Sequence, residues 1–212
     1  SIIDGSRIYV DKNATGETEN GFSWETAFDT LQEGIDAVSS FGGGEVWVAN
    51  GTYSEPRGAV NGALIMDEVV NLYGGFAGDE TELAQRDPEF NETIIDGSVA
   101  RNGVPAVHVI IGADNTAIDG FTIRGGRATL AGASTNFQGG GIFNLGLSTT
   151  ILNCRFTDNR ATTAGGAIFS TGGSVVIANC TFENNAVISA PGANATATAF
   201  GGAIYNSDTI AS

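Results

Sequence analysis

Few side chains in this sequence could do chemistry. The arginines Arg124, Arg127, Arg155 and Arg160 are interspersed with the acids Asp96, Asp114, Asp119 and Asp158. Arg155 and Asp158, three positions apart, are the pair placed to share a surface as a basic and an acidic catalytic group. Hydrolysis of a glycoside needs two carboxyl groups at a defined separation, and no second acid stands near Asp158. The charged residues therefore read more simply as a solvated outer face than as a catalytic centre. The one histidine, His108, lies in Ala106-Val107-His108-Val109-Ile110-Ile111. Strand alternation turns Val107, Val109 and Ile111 inward and His108 outward. That predicts a surface residue, with a general-base role as the alternative. Cys154 and Cys180 are 26 residues apart. They read either as two small buried thiols or as a disulfide; two cysteines alone do not hold a metal. Acidic charge alone points to calcium (Ca2+), without an Asp-x-Asn-x-Asp-Gly loop or a glycine-rich nonapeptide repeat. Neither a metal site nor a cofactor is predicted.

Charge and composition narrow the partners. The 212 residues contain 9 Lys and Arg against 24 Asp and Glu, a formal net charge of −15. Lys12 is the single lysine. Nucleic acid needs a basic footprint, and so does an anionic membrane surface; neither fits this chain. Hydrophobic residues make up 42%, too many for a disordered acidic chain. No apolar run approaches the ~18 residues of a membrane span, so no membrane insertion is expected. The start Ser1-Ile2-Ile3-Asp4 is what a processed exported chain or a trimmed one would show. Asn13, Asn50, Asn91, Asn179 and Asn194 head Asn-x-Ser/Thr triplets that would permit glycosylation.

The elements that must carry these residues repeat. Ile118-Asp119-Gly120-Phe121-Thr122-Ile123 aligns with Ile151-Leu152-Asn153-Cys154-Arg155-Phe156 and with Ile177-Ala178-Asn179-Cys180-Thr181-Phe182. A second element, Gly139-Gly140-Gly141-Ile142, returns as Gly165-Gly166-Ala167-Ile168 and Gly201-Gly202-Ala203-Ile204. Cys154 to Cys180 and Ile142 to Ile168 share a spacing of 26. Longer spacings are explained by polar loops inserted near 127–138 and 187–199. With 31 glycines and 4 prolines, the pattern predicts short strands, tight turns and a parallel β-solenoid. In such a stack Phe121, Cys154 and Cys180 form one inward column, and Ile123, Phe156 and Phe182 another. Asn153 over Asn179 and Asn159 over Asn185 fall at turns, where Asn tolerates a left-handed backbone and its amides can bond along the stack. Residues 1–60 read as a cap continuous with the solenoid. It holds a strand at Ile8-Tyr9-Val10, a helix N-capped by Ser23, and a strand at Glu45–Ala49. Phe28, Leu31, Ile35 and Val38 form the helix's apolar face. Residues 61–212 read as the solenoid turns. Trp24, Trp47, Tyr53, Tyr73, Phe76 and Tyr205 are candidates for a carbohydrate platform, with Trp24 and Trp47 better explained as packing between cap and first turns.

Phe156-x-x-Asn159, Phe182-x-x-Asn185 and the Gly-Gly-Ala-Ile elements look like the repeats of polymorphic outer-membrane-protein passenger domains. Ile8–Asp11, Val46–Tyr53, Leu72–Gly78, Gln85–Pro88 and Thr93–Gly97 carry the same likeness through the N-terminal segment. More broadly the chain resembles bacterial right-handed parallel β-helix surface proteins of the pectate-lyase-like superfamily. The resemblance implies an all-β, right-handed parallel β-helix with an N-terminal amphipathic capping helix. It also implies an extracellular or cell-surface location and an adhesive or structural role. Some members act on polysaccharides, and pectate lyases pair calcium-bridging aspartates with a proton-removing base, which keeps Arg155 and Asp158 in view.

The expected function is a non-catalytic structural or adhesive β-solenoid, and cell-surface carbohydrate is a possible partner. The rival is an enzyme or binding module for acidic polysaccharide. No capping segment is legible after Ile210, where the next turn would begin. The chain is then a fragment, or its end is covered by polar side chains and the last residues, or by another copy joined end to end into a filament. One side of that joint would be Gly201, Gly202, Ile204, Tyr205 and Ile210. The other would be Ile2, Ile3, Ile8 and Val10, or the helix face at Phe28 and Leu31.

Overall fold

The computed structural model describes residues 6–58, 60–129, 137–188 and 200–207. Over these residues the chain is an all-β parallel solenoid, with short strands stacked turn upon turn. The first sheet stacks Arg7–Val10, Gly44–Ala49, Val70–Phe76, Thr116–Asp119, Thr149–Leu152 and Val176–Ala178. The second stacks Gly51–Tyr53, Thr93–Asp96, Phe121–Arg124, Arg155–Thr157 and Thr181–Glu183. The third stacks Leu64–Ile65, Ile110–Ile111, Ile142–Leu145, Ile168–Thr171 and Ile204–Ser207. In the later turns a short fourth sheet, Arg127–Ala128, Arg160–Ala161 and Ala186–Val187, lies between the second and third. Neighbouring strands pair parallel in every sheet.

Register places one apolar residue above another. Ile8, Val46, Leu72, Ile118, Ile151 and Ile177 form a column in the first sheet. Tyr53, Ile95, Ile123, Phe156 and Phe182 form the second. Leu64, Ile110, Ile142, Ile168 and Ile204 form the third. The three columns face one another and make a single core. Branched side chains suit it because each packs on a copy of itself one interstrand step, about 4.8 Å, away. Phe156 and Phe182 stack nearly parallel, with ring centroids 5.1 Å apart. The spacing of 26 between Ile151 and Ile177 recurs between Val46 and Leu72. Between Leu72 and Ile118 it grows to 46, because the chain leaves the coil at two corners, over 77–92 and 98–109. The loops expected near 127–138 and 187–199 lie largely outside the described residues, which omit 130–136 and 189–199.

Two corners show how the turns repeat. Between the first and second sheets, Gly120, Asn153 and Asn179 stack at one position, all with positive φ. Between the second sheet and the fourth, Gly125, Asp158 and Asn184 do the same. Only Gly, Asn and Asp enter this backbone region at low cost. The left-handed backbone expected at Asn159 and Asn185 thus belongs to the residue before each of them. Asn159 is instead fully buried and points inward. Its amide nitrogen donates to Ile123 O (2.9 Å) and to Asn185 Oδ1 (3.1 Å), and its oxygen accepts from Gly126 N (3.0 Å). Asn185 Nδ2 donates in turn to Phe156 O at 2.8 Å.

The N-terminal end is closed. Helix α1 spans Leu31–Ser40 and buries Leu31, Gly34, Ile35 and Val38 over the first strand. It starts at Thr30, not Ser23: Thr30 and Glu33 form a reciprocal capping box, which satisfies two of the orphan amides at the helix start. Ser23 belongs to a turn, where its Oγ accepts from Thr26 N. Phe28, expected on the helix, is extended and pairs with Val10. Tyr9 N donates to Gly21 O, Phe28 N to Tyr9 O, and Asp11 N to Phe28 O. Those bonds saturate the outer edge of the first strand and manage the exposed-edge hazard.

The Asn159 ladder carries a prediction. Asn159→Leu leaves the Gly126 amide and Ile123 carbonyl buried without their partner, a cost of about 3 kcal/mol. The urea midpoint should fall with an unchanged slope; an unmoved midpoint would rule the ladder out as a source of stability.

Candidate functional site

A groove of about 1130 Å³ runs across the corner between the first and second sheets. One wall is the excursion carrying Leu83, Arg86, Asp87, Pro88, Glu89 and Glu92. The floor comes from three successive turns: Gly120–Thr122, Asn153–Arg155, and Asn179 with Thr181 and Glu183. Parallel register therefore presents side chains at intervals of about 4.8 Å along the axis.

A hydrogen-bonded chain ties wall to floor. Arg86 Nη2 meets Asp119 Oδ2 at 2.6 Å, and its Nη1 donates to Gly74 O and Asp119 O. The other Asp119 oxygen accepts from Asn153 Nδ2 at 2.7 Å. Asn153 Oδ1 accepts from Asn179 Nδ2 at 3.3 Å. On the second-sheet side, Arg155 Nη2 pairs with Glu183 Oε2 at 2.6 Å, and Thr122 Oγ1 donates to Glu92 Oε1 at 2.8 Å. Both arginines of the groove are thus matched by carboxylates.

The structure separates the two residues singled out for catalysis. Arg155 lines the groove. Asp158 sits at the next corner with a left-handed backbone, its carboxylate accepting from Thr157 Oγ1. The hydrogen bond and charge of Glu183 raise the Arg155 pKa above its ordinary value. A proton-abstracting arginine needs the opposite shift. The remaining acids of the sequence reading have structural partners: Asp96 pairs with Arg124 at 2.8 Å, and Asp114 Oδ1 accepts from Ser148 N. Among the described residues no three His, Cys, Asp or Glu side chains gather as a metal site.

The two cysteines lie one turn apart, and neither is in a disulfide. Cys154 is buried at the groove floor, and burial pushes its thiol pKa well up. Half-buried Cys180 accepts a hydrogen bond from Cys154, which brings its own pKa down to about 7. Iodoacetamide should therefore label Cys180 in the folded protein, with a rate that is half-maximal near pH 7. Cys154 should react only after unfolding. Peptide mass spectrometry reads the difference, and equal labelling of both in the folded state would contradict it.

His108 is not on the surface. It is 2% exposed, Nδ1 donates to Gly139 O at 2.8 Å, and the ring lies 4.8 Å from that of Phe143. Phe143, Phe169 and Tyr205 continue the column at 5.5 and 5.3 Å. The expected alternation does not hold. Val109 and Ile110 both join the main core, Val107 packs in a separate cluster and Ile111 is half-exposed, because the strand is only Ile110–Ile111 and His108 precedes it. The outer face here also carries a second packed layer. Burial lowers the His108 pKa below 6.5. The unfolded chain therefore binds this proton first, so stability is whole above pH 6.5 and declines as pH falls toward the folded value. His108→Phe should lose less stability than the parent between pH 7 and 5 in urea titrations. Identical losses would refute the assignment.

The other sequence candidates are placed as follows. Trp47, Tyr53 and Phe76 are buried. Trp24 packs 5.5 Å from Phe76 and donates Nε1 to Glu80 O. These aromatics hold the cap to the first turns, as expected of the tryptophans, and do not form an open platform. Among the described residues the most exposed aromatic is Phe90, 86% accessible on the same excursion as the groove wall but outside the groove lining, which the sequence reading did not single out. Nor did it find Glu89 and Glu92, because nothing in the local sequence says that 77–92 folds back over the repeats. Asn13 is exposed; Asn91 is buried, with its amide donating to Gly75 O, so its triplet is shielded in the folded chain. Asn50 is half-buried beside it and Asn179 is exposed in the groove.

Of the residues expected at an end-to-end joint, Gly201 and Gly202 are exposed and Ile204 and Tyr205 half-buried on the last described turn. Ile8 and Val10 are fully buried under the cap, and the edge of their strand is already bonded to Gly21 and Phe28. Leu31 is buried as well. A joint that pairs this strand with a neighbour's last turn would require the cap to come away. Ile2, Ile3, Ile210 and Asn194 lie outside the described residues.

Comparison of the chain with curated proteins and with solved structures finds no match. A family model described as protein of unknown function, DUF1565, matches residues 14–210. With nearly its whole length covered, and with the parallel stack described above, the chain belongs to the DUF1565 family.

Proposed function

We propose that this protein is a non-catalytic adhesive β-solenoid of the cell exterior, and that its lateral groove holds carbohydrate. The observation that carries this reading is the row of exposed polar side chains on successive turns of the stack: Asn153 and Asn179 at the corners, and Arg155, Thr181 and Glu183 on the strands. Amide, guanidinium and carboxylate groups are the partners that sugar hydroxyls accept from and donate to. Because the stack fixes their positions, little ordering is left for binding to oppose. The location outside the cell is supported by the likeness to surface β-helix proteins. Turnover is opposed by the raised pKa of Arg155 and by the distance of Asp158 from the groove.

Calorimetric titration with a panel of neutral, basic and acidic oligosaccharides tests the reading. Binding of at least one class is expected, with no cleavage products. The double variant Arg155→Ala and Asn179→Ala should weaken that binding at least tenfold, about 1.4 kcal/mol. Release of unsaturated or new reducing ends would overturn the non-catalytic assignment. Failure of every class to bind would overturn the carbohydrate assignment.

A further inference from the structure

We propose that the groove selects glycans bearing amino groups and excludes polyuronates; this deepens the carbohydrate reading above and rests on it. The argument is one of charge left over after pairing. The lining side chains include the acids Asp87, Glu89, Glu92 and Glu183 and the cations Arg86 and Arg155. Arg86 is held by Asp119, a residue outside the lining, at 2.6 Å, and Arg155 by Glu183 at 2.6 Å. Each guanidinium of the groove is therefore already charge-matched, and a ligand carboxylate would meet no unmatched positive charge.

Three acids remain without an ion-pair partner among the described residues. Asp87 uses Oδ1 to accept from Glu89 N and Phe90 N. Glu92 uses Oε1 to accept from Thr122. All three belong to the lining of the groove, and none of their other carboxylate oxygens takes a hydrogen bond within the described residues. All three residues are exposed. The whole chain adds to this field with its net charge of −15, and a cleft focuses such a field. A polyuronate would set a carboxylate on each sugar against these three. A protonated amine would meet them as a charge-assisted donor.

The floor supports a polymer lying along the solenoid axis. Asn153 stands over Asn179, so an amide is offered at the same position on two successive turns, with Arg155 and Thr181 beside them. The acidic wall occupies one flank, where successive amines of such a polymer would pass. Attraction of this kind is screened over about 8 Å at physiological ionic strength, so the binding should weaken steeply with salt.

The test compares three ligands on the intact protein: glucosamine oligomers, the same oligomers fully N-acetylated, and oligogalacturonate of equal length. Titrations are run at low salt and at a pH where the amines are protonated. Glucosamine oligomers should bind at least tenfold more tightly than the acetylated ones, and oligogalacturonate should not bind. The variant Glu89→Gln with Glu92→Gln should erase that advantage. Glu19→Gln, on an exposed loop of the cap, should leave it unchanged. If Glu19→Gln erases it equally, the effect is general attraction to an acidic protein and the selectivity proposal falls. Equal binding of the amine and acetylated forms, or tighter binding of oligogalacturonate, also overturns it while leaving carbohydrate recognition standing. If none of the three binds, the carbohydrate reading beneath it falls as well.

Discussion

Ile151 stands between Ile118 and Ile177 in three adjacent parallel strands, and the rest of the molecule depends on that register. Because side chains alternate across a strand, a slip of one residue would send the isoleucines outward and the polar residues of the floor inward. The register fixes the left-handed corners at Asn153 and Asn179, since these residues directly follow the first-sheet strand on each turn. It also brings Asn159 against Asn185 and closes the buried amide ladder. Apolar burial supplies most of the driving force, while the amides and the corners make one alignment better than its neighbours.

That same constraint explains what the sequence discloses. Where two elements share a spacing of 26, as Cys154 with Cys180 and Ile142 with Ile168 do, the pairing in space follows from the pairing in sequence. The parallel solenoid, the inward columns and the capping helix are legible for that reason. The first turns are less so. Val46 and Leu72 are also 26 apart, but the inserted stretches at 54–63, 77–92 and 98–109 break the pattern around them. His108 shows the other limit. Alternation assigns it a face, but the strand begins only at Ile110, and nothing in the pattern says that Phe143 and the Gly139 carbonyl will cover the ring. Ser23 and Thr30 both have the chemistry of a helix cap, and tertiary pairing of Phe28 with Val10 decides between them.

The groove lies at the meeting of these two regimes. Its floor comes from the regular part, so Asn153, Arg155 and Asn179 were visible as aligned residues. Its wall comes from an irregular excursion held down by long-range contacts: Arg86 with Asp119, and Asn91 with Gly75. Glu89 and Glu92 reach the site only because of those contacts. A regular scaffold thus supplies periodic contacts and an irregular insertion supplies charge, a division of labour common where loops are positioned by a rigid frame.

The direction of the hydrogen bonds has a mechanical consequence. In this stack the bonds between turns run along the solenoid axis, so a pull applied to its two ends loads the turns in series. The weakest turn yields first, and the others keep their shape until it has paid out. One turn of 26 residues releases up to about 90 Å of extended chain at roughly 3.5 Å per residue. A stack built this way lengthens in steps under tension, and each step lowers the load on the turns that remain.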